Sequence, residues 1–160
     1  MAMRALLPEP RPDGRQSETA RAVQRGVLRH LALSGMAGLP EFSLVSGRRA
    51  DILAMGPKGE ITIIEIKSSV IDFRTDAKWH EYRDFCDRLM FAVPMDFPVE
   101  ILPEDTGLFV ADAFGAECLR PAPLHPLPAA TRKALTLRFA RAAATRLAVL
   151  YDPDLLRADL

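Results

Sequence analysis

Two apolar runs, RADILAM (49–55) and EITIIEIK (60–67), are separated only by Gly56-Pro57-Lys58-Gly59. A connection this short joins strands only as an antiparallel hairpin. Pro suits the second position of a type I turn, and Gly readily takes the left-handed position that follows. The turn is therefore a three-residue loop, Pro57-Lys58-Gly59, which sets Gly56 opposite Glu60 and Met55 opposite Ile61. Ile52, Ile64 and Ile66 then line one face, with Leu53, Ile61 and Ile63 on the other. A sheet apolar on both faces needs a layer on each side.

The same count places Asp51 directly opposite Glu65. Opposed side chains share a face with Cβ atoms about 4.5–5.5 Å apart. Lys67, two residues beyond Glu65, shares that face as well. A two-residue loop would shift the register by one and separate the carboxylates. Two like charges opposite one another destabilise a sheet. A divalent cation between them removes that penalty, and Mg²⁺ is typically held by one or two carboxylates together with water and substrate phosphate. Lys67 then stands ready to stabilise charge developing on a phosphoryl group. On the hairpin alone, an ion-pair cluster at a sheet edge is an equal alternative.

Elsewhere, helical spacing of Val23, Val27, Leu28 and Leu31 predicts a helix over Ser17 to Leu33, with Ser17 as cap and Glu18 in its first turn. A short strand is expected around Glu41 to Val45. RTDAKWHEYRDFCDRL reads as a second helix starting near Thr75, followed by strands at MFAVP and GLFVADAFG, with EILP as a weak pairing segment. The Pro-rich RPAPLHPLP leads to a last helix over Ala129 to Leu150. Its cations Arg132, Lys133, Arg138, Arg141 and Arg146 read as a solvated face. The chain thus divides into a lead-in (1–16), one domain (17–150) and a tail (151–160). Ser68-Ser69 ends a strand with hydroxyls that can bond local backbone. Trp79 reads as core and His80 as surface.

The 160 residues suffice for one domain with a real core. The 21 basic and 21 acidic residues cancel, which argues against indiscriminate DNA binding but not against a local basic patch. Cys86 and Cys118 are far apart and lack metal-ligand spacing, so free thiols in a reducing cytoplasm are expected. No segment reaches the length of a membrane span.

Asp51 followed by Glu65-Ile66-Lys67 after a short hairpin resembles the PD-(D/E)XK nuclease superfamily. RRADILAMGPKGEITIIEIKSS followed by DFRTDAKWHEYRDFCDRLMFAVP resembles, more specifically, the MmcB-type family of bacterial DNA-repair proteins, over roughly Ser17 to Leu150. That resemblance implies an α/β fold with a restriction-endonuclease-like core: a mixed central β-sheet flanked by helices in the order α-β-β-β-α-β. It implies Mg²⁺ or Mn²⁺ held by Asp51, Glu65 and the Ile66 carbonyl, with Lys67 as the catalytic lysine. Glu18, the one acid of the first helix, takes the place of the acid many members add. Ala50 departs from the pattern, which usually has Pro before the Asp. Arg49, Lys78 and Tyr82 are candidate DNA contacts, although Tyr82 serves equally as a tether between helix and sheet. The activity implied is metal-dependent hydrolysis of DNA phosphodiesters in repair, with DNA, a repair protein or a second copy as partner. The alternatives are a non-catalytic binding module with the same fold, and a nuclease for RNA or nucleotides.

Overall fold

The computed structural model describes residues 6–7 and 16–157. A six-stranded mixed sheet runs in sequence order, from β1 (Ala37–Ser43) through β2 (Arg49–Met55), β3 (Ile61–Ile66), β4 (Arg88–Val93) and β5 (Gly107–Ala111) to β6 (Ala116–Arg120). β3, β4 and β5 are parallel neighbours, and the other pairings are antiparallel.

The hairpin has the expected register, with Met55 opposite Ile61 and Ile52 opposite Ile64. The Gly56 and Gly59 N–H groups donate to the Glu60 and Gly56 carbonyls, at 2.8 and 3.0 Å. Gly59 sits at φ +85°, a conformation in which a Cβ is strained. All six residues of β3 are buried.

α1 (Glu18–Leu33) is capped as anticipated, the Ser17 hydroxyl accepting from the Ala20 N–H at 3.1 Å. Its Ala20, Val23, Val27 and Leu31 pack with Ile52, Ala54, Ile64, Ile66 and Ala92. The opposite face, carrying Leu53, Ile61, Ile63 and Leu89, packs with Tyr82, Cys86, and Leu135 and Ala142 of α3 (Ala129–Tyr151). Phe91, Val93 and Leu108 form a further cluster with Phe73 and Trp79 against it. Each face thus has the apolar layer it needs.

The expected second helix is broken in two. α2 (Val70–Thr75) begins earlier, with Ser69 accepting from the Asp72 N–H, and stops at Asp76, whose φ −89° and ψ 86° are not helical. A 3₁₀ segment over Trp79–Phe85 follows. EILP forms no strand, since Val99–Ile101 is a 3₁₀ turn. β6 was not anticipated because it is short and largely exposed. The lead-in falls mostly outside the described residues, but Leu6 within it is buried in the core. Part of the tail, Pro153–Leu156, is a 3₁₀ turn.

Three of the five cations on α3 are tied down rather than solvated. Arg132 donates to both carboxylate oxygens of Asp87, at 2.7 and 2.6 Å, and to the Gly59 carbonyl at 2.9 Å. Arg138 donates to the Ser43 carbonyl, and Arg146 to those of Pro40 and Glu41. These bonds occupy carbonyls of the edge strand β1, a device that limits unwanted pairing. Lys133 and Arg141 are exposed.

Asp87 is buried, and it also accepts from the N–H groups of Ile61 and Leu127, both at 2.8 Å. Burial opposes its ionisation, yet the Arg132 guanidinium and these two N–H groups hold its pKa down at about 2. This stabilisation is complete above the unfolded-state pKa of about 3.9 and is lost as pH falls through the folded value. Asp87→Asn is expected to cost roughly 3 kcal/mol at neutral pH, the low end for breaking a buried pair, because Arg132 is partly exposed. Urea denaturation should show this difference shrinking as the pH approaches the folded pKa.

Candidate functional site

The β2–β3 ladder ends at Ile52 opposite Ile64. Beyond that point β2 stays with β1, where Ala50 pairs with Phe42, while β3 stays with β4, where Glu65 pairs with Phe91. The sheet forks there, and Asp51 and Glu65 sit in the fork. Their carboxylates take up N–H groups the ladder no longer uses. The Asp51 N–H donates to Glu65 Oε1 at 3.1 Å, and the Ile66 N–H donates to Asp51 Oδ2 at 2.8 Å.

Glu65 is buried, whereas Asp51 is half-exposed. Burial, and next the Asp51 charge, push the Glu65 carboxyl well above the usual carboxylate range. The raised pKa favours the neutral form of Glu65, which eases the repulsion of the opposed pair. A cation placed there reverses that balance and favours the ionised form. The donor set of two carboxylates and the Ile66 carbonyl is all hard oxygen, as Mg²⁺ and Mn²⁺ prefer. Among the described residues no group of three or more His, Cys, Asp or Glu is placed to hold a metal, so water and a phosphate oxygen would have to complete the shell.

Lys67 is also buried, and its Nζ pairs with Asp76 Oδ2 at 2.6 Å. Burial works against ionising Asp76, but the Lys67 hydrogen bond and charge, the Lys78 N–H and Arg48 together lower its pKa. Arg48 Nη2 lies 3.7 Å from Asp76 Oδ1, and its Nη1 is 3.3 Å from Glu81. The Arg48 guanidinium also lies over the Tyr82 ring, 4.7 Å from its centroid. Neither Asp76 nor Arg48 was among the candidate site residues. Asp76 lies inside a stretch that reads as continuous helix, and Arg48 is in a turn where strand alternation gives no guidance.

Other anticipated residues are placed differently. Glu18 does not join the trio, because α1 covers the opposite face of the sheet, where this exposed residue lines a cleft with Asp96 and Asp112. Arg49 pairs with Glu41 at 2.8 Å. Lys78 is exposed but precedes the 3₁₀ segment, so it shares no α-helical face with Tyr82. Tyr82 is buried, and its O–H donates to the Arg49 carbonyl at 2.8 Å, which makes it a tether. Trp79 packs edge-on against Phe91 in the core. Tyr82→Phe should therefore lose about 1 kcal/mol in chemical denaturation while leaving DNA affinity, measured by fluorescence anisotropy, unchanged.

No helix among the described residues is long and apolar enough to cross a membrane. No curated protein matches the chain. A solved structure described as SPO1766 protein of unknown function from Silicibacter pomeroyi is 46% identical and superposes with a TM-score of 0.84. The match covers 88% of this chain and 96% of that one. The profile of the family described as DNA repair protein MmcB-like matches residues 7–154. With nearly the whole described fold inside that match, the chain belongs to the MmcB-like family of DNA repair proteins.

Proposed function

We infer that this protein is a metal-dependent DNA nuclease acting in repair, of the PD-(D/E)XK type. The observation that carries the reading is the sheet fork holding Asp51 and Glu65 face to face, with Lys67 two residues further on. Asp51 and Glu65 are the ligand side chains, joined by the Ile66 carbonyl. A divalent cation held there would activate water and polarise the scissile phosphate. Lys67, paired with Asp76, supplies a cation for the negative charge that builds on the phosphoryl oxygens. The sheet and its two apolar layers hold these groups on rigid elements, which is what positioning catalysis requires. The burial of Glu65 favours a second reading, a module that binds DNA or a repair partner without cutting it.

Metal titration separates the two readings. Asp51→Asn should abolish Mn²⁺ binding by isothermal titration calorimetry and with it any cleavage of labelled DNA. Lys67→Gln should keep Mn²⁺ binding and slow cleavage by roughly 10²–10³-fold. Mn²⁺ binding without cleavage of duplex, single-stranded or branched DNA would favour the binding module. The absence of Mn²⁺ binding even with a non-cleavable DNA present would sink the nuclease reading.

The raised pKa of Glu65 has a definite sign. The metal binds the ionised carboxylate, so binding expels a proton below that pKa. Mn²⁺ affinity should rise about tenfold per pH unit there, with one proton released. Buffers of different ionisation enthalpy will reveal the release in the calorimeter.

A further inference from the structure

Lys67 Nζ at 2.6 Å, the Lys78 N–H at 3.1 Å and Arg48 Nη2 at 3.7 Å converge on one carboxylate, that of Asp76. Two hydrogen-bond donors and a guanidinium charge around two oxygens is how proteins hold an oxyanion. The α2 helix ends at this residue, whose backbone is not helical. Asp76 is only partly buried, with 18% of its side chain exposed, so the subsite opens to solvent, whereas the Lys67 side chain is 5% exposed. Arg48 has further partners in Glu81 and the Tyr82 ring, which hold its guanidinium in place without closing it off.

We propose that Lys67, Arg48 and the Lys78 N–H form a phosphate-binding subsite for the DNA backbone, and that Asp76 occupies it in the free protein as an internal competitor. A backbone phosphate displaces the carboxylate and takes over its two donors and the Arg48 charge. The affinity of the free protein for DNA is thereby held down, in keeping with its zero net charge. The proposal rests on the nuclease reading for its ligand, a phosphodiester, but not on hydrolysis.

The test is binding of fluorescein-labelled duplex and single-stranded DNA in EDTA, read by anisotropy over a range of salt. Asp76→Asn keeps the shape and removes the competing charge. It should bind duplex roughly tenfold more tightly at low salt. The slope of log K against log salt should steepen by between about 0.9 and 1.8, one or two freed cations. Arg48→Gln should weaken binding and flatten the slope by about 0.9. Circular dichroism establishes that each variant folds. Should Asp76→Asn not fold, Asp76→Ser takes its place, since it still accepts the Lys78 N–H. Tighter binding on loss of Asp76 together with weaker binding on loss of Arg48 supports the proposal. Any other pair of results overturns it, including no binding by any of the proteins. Cleavage assays judge the catalytic reading separately, because no metal is present here.

Discussion

Everything at the candidate site depends on the register of the β2–β3 hairpin, and hydrophobic patterning does not set that register. Ile61 and Ile63 bury one face of β3, and Ile64 and Ile66 bury the other. A slip by one residue exchanges isoleucines for isoleucines, so burial alone scarcely opposes it. The turn decides instead. Pro57 starts it, Gly59 closes it in the left-handed region, and Arg132 holds the Gly59 carbonyl from α3. A hydrogen-bonded turn thus dictates which two acids meet a dozen ångströms or more away, given about 3.3 Å of rise per residue.

Asp87 ties this hairpin to the rest of the molecule. It receives the first N–H of β3, the N–H of Leu127 at the end of the Pro-rich linker, and both arms of Arg132 at the start of α3. One buried carboxylate therefore joins a strand, a linker and a helix that lie far apart in sequence. At the other end of the hairpin the fork in the sheet exposes backbone N–H groups, and the Asp51 and Glu65 carboxylates absorb them. Buried backbone donors rarely go unpaired. The acids thus have a structural role whatever chemistry they perform.

The hairpin, its register, α1 with its Ser17 cap, and α3 were legible because each rests on local periodicity or on a turn. What failed rested on distant partners. RTDAKWHEYRDF reads as one helix by propensity, but Asp76 leaves the helix to meet Lys67, nine residues back in sequence. Arg138 and Arg146 of α3 read as solvated because the carbonyls they bind belong to β1, about a hundred residues away. Glu18 was matched to the site by type, and only the layering of the helices showed it to be on the other side of the sheet. The edge strand β6 escaped notice because an exposed five-residue strand has no apolar alternation.

By itself the sequence determined the parity of Asp51, Glu65 and Lys67. Side chains alternate with a period of two, and a Gly-Pro-x-Gly turn admits one loop length. Tertiary structure decided what surrounds that trio. It forked the sheet so that the acids bond backbone, buried Glu65 deeply enough to raise its pKa, and brought Asp76 to Lys67 and Arg48. Those outcomes depend on burial and on charges that meet through space, and neither is written in the spacing of residues along a chain.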